Sequence, residues 1–258
     1  SAWPKRDGSS LKLSAVPVST MKVLDYLFSE RFEKYFEELM TGSGFDADFH
    51  PHEGLANLLG NPAYARFENG VIHVYLKIGL SAELAEVLAA HEITEPILTK
   101  VEGYPNCYIT NLALGKGRIF EDIGSRITST VLNAIVNERL REHGFDVDKL
   151  IEELVVLLKT LPLQMPPDPP PETLIQNALI YLDHYLSHPS LPEITRLTGY
   201  FQEIGGEQWK LIADLMGVVK ETGYRTIDQS LDCMIRIRDR LNLSPYILVR
   251  DTRNDSLH

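Results

Sequence analysis

An Asn69-Gly70 pair between two β-prone runs constrains the fold more than any other local feature. The runs cover residues 64–68 and 71–78, and Asn-Gly as a two-residue connection is the strongest short signal for a β-hairpin. Apolar and polar side chains alternate along the second run, which predicts one buried face. A mostly apolar helix begins directly afterwards, near Ser81. A hairpin followed at once by such a helix predicts an α+β fold.

The helices are predicted from apolar spacing and from their end signals. Residues 21–39 have helical periodicity that stops at Thr41-Gly42-Ser43-Gly44. The helix from Ser81 carries Glu83 and Glu86 near its start, where the helix dipole favours acidic side chains. Two more helices are predicted over 120–143 and 147–161. Residues 21–161 are therefore predicted to form one mixed domain.

A proline-rich segment, residues 162–171, divides the chain. It cannot form a helix or a central strand, so a stiff extended linker is expected there. The region 172–250 is predicted to be an all-α C-terminal domain of three or four helices, separated by His188-Pro189, Gly205-Gly206 and Gly223. Residues 1–20 are polar and aperiodic, which predicts a flexible tail.

Composition narrows the class of protein. The formal charge of −11 disfavours binding to nucleic acid. Cys107 and Cys233 lie far apart and form no CxxC pair, which favours a reducing, cytoplasmic location and makes a thiolate zinc site unexpected. No apolar run approaches the ~20 residues of a membrane span, and residues 1–20 contain no secretory signal. The oligomeric state is left open.

The segment His91-Glu92-Ile93-Thr94-Glu95 is the H-E-x-x-H metallopeptidase motif with its second histidine replaced by glutamate. On a helix, His91 and Glu95 lie one turn apart on the same side, so both can reach one ion. Glu92 is rotated by about 100°, which suits a general base that contacts metal-bound water. The pattern predicts His91 and Glu95 as metal ligands and Glu92 as the catalytic residue.

A third ligand must come from another element, and Glu121 is the first candidate, with Asp122 as its competitor. The small Gly124 would allow the two helices to approach each other closely. His50 and His52 are further candidates, although they are also explained by a loop that leads into a helix over 53–59. One imidazole with two carboxylates suits zinc but favours manganese or iron more than the usual donor set does.

The order of hairpin, H-E-x-x-E helix, loop and a helix that opens Glu121-Asp122-Ile123-Gly124 resembles the gluzincin metallopeptidases, in particular the compact ImmA/IrrE-like bacterial proteins. The resemblance covers about residues 45–145. It implies a zincin-like fold, with His91 and Glu121 as zinc ligands and Glu92 as the general base. The chain departs from the family at Glu95, where the family has histidine, and Pro96 follows directly.

Two functions are consistent with this pattern. The first is a metal-dependent peptidase, in which the ion polarises the peptide carbonyl and Glu92 activates water. The second is a catalytically inactive zincin-like protein that binds a peptide, a protein partner or a small ligand. In both, the strand over 71–78 is expected to offer an open edge to an extended peptide. The peptidase hypothesis is favoured if His50, His52 or His73 lies close enough to bind the same ion as His91.

Overall fold

The structure is a computed structural model that describes residues 21–52, 62–151, 169–204 and 206–258. Its elements, in chain order, are β1 Met21–Val23, β2 Tyr26–Phe28, α1 Glu30–Ser43, β3 Asp46–His52, β4 Ala63–Glu68, β5 Val71–Lys77, α2 Ala82–Lys100, β6 Asn106–Ile109, α3 Asn111–Leu114, α4 Ile119–Glu142, a 3-10 helix Val147–Ile151, α5 Pro171–Ser187, α6 Pro192–Ile204, α7 Gly206–Thr222, α8 Ile227–Arg240, β7 Ile247–Asp251 and β8 Ser256–Leu257. The predicted α+β class is confirmed. Within the described ranges, no helix is long and apolar enough to cross a bilayer.

The predicted hairpin is present as β4 and β5, and both turn residues, Asn69 and Gly70, have positive φ. A third strand, β3, pairs with β5 in parallel, so the strand order is β3-β5-β4. Because β5 is the central strand, the prediction that 71–78 offers an open edge is wrong. The edges of this sheet are β3 and β4.

One face of this sheet is buried and the other is open. Ile72, Val74 and Leu76 alternate along β5 and are fully buried, since α2 packs on their side of the sheet. The intervening residues of β5 face the other way and are half-buried. Because side chains alternate along a strand, the outer face collects the polar residues of all three strands.

The prediction of helix from Met21 onward is wrong for the first residues. Residues 21–28 instead form the short antiparallel pair β1 and β2, with Leu24 in the left-handed region at the turn. The side chain of Ser29 accepts a hydrogen bond from the Phe32 amide and so caps α1, which ends at Gly44 as predicted. The apolar residues before Ser29 therefore belong to paired strands, and α1 begins only after the cap at Ser29.

Glu86 has a different environment from the one its position near the start of α2 suggested. It is 4% exposed, and its carboxylate accepts hydrogen bonds from the Ser29 amide and hydroxyl, both at 2.8 Å. Arg31 donates to the same carboxylate at 2.6 Å. This carboxylate therefore fastens the first turn of α1 to α2.

The C-terminal helices pack against the N-terminal half. α5 lies along α4, and β6 pairs with β7, so the region predicted as all-α also contains strands. Described residues on both sides of the predicted linker belong to one hydrophobic cluster. Pro171, the last linker residue, begins α5, a position where proline is favoured. The predicted tail 1–20, the helix over 53–59 and residues 152–168 lie outside the described residues.

Candidate metal centre

The H-E-x-x-E motif lies in the middle of α2, and its side chains point to three different neighbours. His91 faces α4, the Glu92 carboxyl accepts a hydrogen bond from the backbone of Ala65 in β4, and the Thr94 hydroxyl lies 2.7 Å from the Tyr35 hydroxyl of α1. Pro96 lies within the helix, which continues to Lys100. The motif therefore sits where α2 contacts helices on two sides and a strand on a third.

Both ring nitrogens of His91 are engaged by amide side chains of α4. Nε2 lies 3.2 Å from Asn133 Oδ1 and Nδ1 lies 3.2 Å from Asn137 Oδ1. Burial lowers the pKa of His91, which disfavours the charged imidazolium. A neutral ring has one N–H, and Asn133 accepts it because the Asn133 amide nitrogen already donates to Asp183. Both ring nitrogens of His91 therefore face amide side chains of α4, and neither faces an ion site.

Glu121 and Asp122 lie at the other end of α4 from His91. Both are exposed and occupy the first turn of the helix. His91 contacts Asn133, which is 12 residues after Glu121, so an α-helical rise of ~1.5 Å per residue separates them by about 18 Å. Gly124 faces Cys107 and Ile247 rather than α2. The structure therefore does not bring Glu121 or Asp122 to His91.

Burial raises the pKa of three carboxyl groups of α2 and α5, which favours their protonated forms. Glu92 is half-buried, and desolvation together with the neighbouring charge of Glu95 raises its pKa to about 8. Burial also raises the pKa of Glu95. Desolvation raises the pKa of Asp183 in α5 to about 7, although hydrogen bonds from Asn133 and Ser187 and the charge of Arg126 oppose it. No local sequence pattern predicts the position of Asp183, because its contact with Asn133 joins residues 50 positions apart.

The ligands predicted around α2 do not converge among the residues that the structure describes. Among the residues that the structure describes, the group of potential ligands that converges within 4.8 Å contains none of His91, Glu95 and Glu121. Both ring nitrogens of His91 also have hydrogen-bond partners on α4. His91, Glu95 and Glu121 as joint ligands, with Glu92 as general base, remain a sequence prediction.

The group that does converge consists of Asp48, His50 and His73 on the outer face of the sheet. Asp48 and His50 are two residues apart on β3 and therefore project from the same face. His73 lies on β5 directly opposite Asp48, and Tyr75 lies opposite His50. Parallel register alone therefore brings a carboxylate and two imidazoles together.

The distances within this group approach those of a tetrahedral metal site. His50 Nε2 lies 3.2 Å from His73 Nδ1, and His73 Nδ1 lies 3.9 Å from Asp48 Oδ2. Ligand bonds of ~2.0–2.1 Å place two ligand atoms about 3.3 Å apart in a tetrahedron. The two nitrogens already have this spacing, and Asp48 Oδ2, on a side chain that is 63% exposed, lies about 0.6 Å farther from His73 Nδ1 than this spacing.

Aromatic packing fixes the orientation of His50. Its ring stacks on Tyr75 with centroids 4.9 Å apart, and Tyr75 stacks on Tyr64 of β4 at 4.6 Å. The guanidinium carbon of Arg66 lies 5.7 Å from the Tyr64 centroid and 5.9 Å from that of Tyr75. Two adjacent rows of side chains cross the outer face of the sheet. One row is Asp48, His73 and Arg66, and the other is His50, Tyr75 and Tyr64.

The sequence identified part of this group. His50 was predicted as a further metal ligand, but it and His73 lie on the face opposite α2, so neither can join an ion at His91. His52 is 6% exposed, packs edge-on against Tyr64, and lies outside the converging group. Asp48 was missed because no strand was predicted before residue 64, although polar and apolar residues alternate along β3 up to Pro51.

Comparisons of the chain with protein-family models, curated proteins and solved structures give no match. The assignment of a function therefore depends on the geometry of the side chains.

Proposed function

We propose that the protein binds a divalent transition-metal ion on the outer face of the β3-β5-β4 sheet, through Asp48, His50 and His73. The observation that carries this proposal is the convergence of one ligand atom from each residue within 4.8 Å. Two imidazoles with one carboxylate suit zinc, iron or manganese better than calcium or magnesium, which prefer oxygen ligands. Zinc is the first choice, since this donor set matches its tetrahedral sites.

Three protein ligands leave a coordination position open to water or to a ligand. An ion bound in this way can polarise a bound carbonyl or phosphoryl group, whereas purely structural zinc sites are closed by four protein ligands. The site also lies on an exposed face, so small molecules have access to it. The proposed ion is therefore one that binds or activates a ligand.

The experiment is zinc and manganese titration of chelator-treated protein by calorimetry, with metal content measured by plasma mass spectrometry. Wild type is expected to bind one ion per chain. H50Q and H73Q are expected to weaken binding at least about 100-fold, since even outer-shell partners contribute 10–100-fold. H258Q is the matched control, because His258 is an exposed histidine that follows β8. Unchanged affinity in both ligand variants would remove this assignment.

Metal-dependent peptide hydrolysis at α2, as in the resembled gluzincins, is the alternative proposal. It has less support, because Asn133 and Asn137 engage His91 and because Glu121 lies about 18 Å along α4 from Asn133. Cleavage of a peptide library by wild type, lost in E92Q and retained in H73Q, would favour this alternative over the sheet site.

A further inference from the structure

Arg66 lies beside the proposed metal site and has no carboxylate partner among the described residues. It lies on β4 directly opposite His73, and it is exposed on the outer face of the sheet. No carboxylate among the described residues lies within ion-pair distance of its guanidinium, which instead rests over the Tyr64 and Tyr75 rings. Its hydrogen-bond donors are therefore available to a ligand.

The position of Arg66 relative to the three proposed ligands follows from strand register. Asp48, His73 and Arg66 form one row across β3, β5 and β4. An ion between Asp48 and His73 lies above the β3–β5 gap, and the guanidinium lies above β4 and β5. Neighbouring strands are ~4.8 Å apart, so ion and guanidinium are separated by about one strand spacing. A tetrahedral or planar oxyanion can bridge that separation.

Charge and donor geometry favour an anion in this place. A divalent ion held by one carboxylate and two neutral imidazoles keeps a net positive charge, and the guanidinium adds to it. Arginine binds carboxylate and phosphate groups through two parallel hydrogen bonds. The rings of Tyr64 and Tyr75 stabilise the guanidinium at this position, because aromatic faces attract cations.

We infer that the site binds an oxyanion group, a carboxylate or a phosphate, with one oxygen on the metal ion and others on the Arg66 guanidinium. This inference rests on the proposed metal site and names the class of ligand that the open coordination position takes. Arg66 is then a specificity-determining residue that contacts the ligand but does not contact the ion.

The test measures binding of inorganic phosphate and, separately, of acetate to zinc-loaded and metal-free full-length protein by calorimetry. Zinc-loaded wild type is expected to bind at least one of these anions. R66Q is expected to weaken anion binding about tenfold or more, the loss of roughly one charged hydrogen bond. R66K keeps the positive charge but lacks the paired donors, so its anion affinity is expected to lie between those of wild type and R66Q. Zinc affinity is expected to be the same in all three proteins.

R196Q is the matched control, since Arg196 is an exposed arginine of α6. Preference for phosphate over acetate, or the reverse, identifies the oxyanion. Anion affinity that is equal in wild type and R66Q, or absent in zinc-loaded wild type, overturns the inference and leaves the metal site intact. Failure of the wild type to take up any metal overturns the proposed function itself, and with it the inference.

Discussion

His50 Nε2 and His73 Nδ1 lie 3.2 Å apart on two parallel strands, and one hydrogen bond joins the two rings when no ion is bound. A metal ion needs a lone pair from each ring, so it must displace the proton that the two nitrogens share. The site is therefore organised before the ion arrives, by strand register and by stacking on Tyr75. Such preorganisation predicts that metal binding adds to stability without rearranging the fold.

Zinc is expected to raise the free energy of unfolding by about 2.7 kcal/mol when its free concentration is 100 times the dissociation constant. The reason is that the ion binds the folded chain, whose register assembles the ligands, and not the unfolded one. Urea unfolding with and without zinc measures the difference. H73Q is expected to lose this stabilisation by zinc, and H258Q is expected to keep it. Equal stabilisation of H73Q and wild type would mean that the ion binds at another site.

The Glu92 carboxyl makes stability depend on pH. Its pKa rises from 4.5 to about 8 in the folded protein, so between these values the folded chain keeps a proton that the unfolded chain has lost. The bound proton contributes on the order of a few kcal/mol to the free energy of unfolding. This contribution is fully present below pH 4.5 and is lost as the pH rises toward 8. E92Q carries no titrating group at this position.

E92Q is therefore expected to match wild type in stability at pH 5 and to exceed it at pH 8.5. Urea unfolding at the two pH values measures both differences. E203Q, which changes an exposed glutamate of α6, controls for the loss of one acidic side chain. If E92Q and wild type lose stability in parallel as the pH rises, Glu92 is not desolvated as described.

The Glu86 carboxylate is expected to stabilise the contact between α1 and α2. E86A leaves the Ser29 amide without its acceptor and removes the partner of Arg31, so a loss of about 2–3 kcal/mol in the free energy of unfolding is expected. Chemical denaturation measures it. E30Q alters an exposed acid in the first turn of α1 and is expected to change stability by less than about 0.5 kcal/mol. Equal effects of E86A and E30Q would contradict this role.

Local sequence signals predicted the elements whose ends are chemically marked. Asn69-Gly70 predicted the β4–β5 hairpin, Ser81 caps α2, and glycine ends α1 and follows α4, because these residues favour specific backbone conformations. The apolar pattern gave the wrong element where the spacing of a helix and the spacing of a strand both fit the same residues. Residues 21–28 fit a helix by spacing, but pairing of β1 with β2 and the cap at Ser29 decide the outcome.

The candidate site was predictable only in part, because long-range pairing assembles it. His50 drew attention as a potential ligand, yet its partners Asp48 and His73 depend on β3 lying parallel to β5, which no local signal specifies. The H-E-x-x-E spacing correctly places His91 and Glu95 one turn apart on a helix. It does not specify that Asn133 and Asn137 of α4 engage the imidazole.

His184 of α5 gives the opposite pH dependence to Glu92. Desolvation, followed by the charges of His188 and Arg126, lowers its pKa from 6.5 to about 3, so the folded protein holds it neutral. The unfolded chain binds a proton below pH 6.5 that the folded chain does not. The contribution of His184 to the free energy of unfolding is therefore fully present above pH 6.5 and is lost as the pH falls toward 3. The loss between pH 6.5 and 5 is about 2 kcal/mol.

H184Q removes the titrating ring, so its stability relative to wild type is expected to be about 2 kcal/mol higher at pH 5 than at pH 7.5. Subtracting the difference at pH 7.5 removes any packing cost of the substitution itself. H258Q, at an exposed histidine, controls for the replacement of one histidine by glutamine. A constant difference between H184Q and wild type across this range would mean that His184 takes up its proton in the folded protein, which would contradict the lowered pKa.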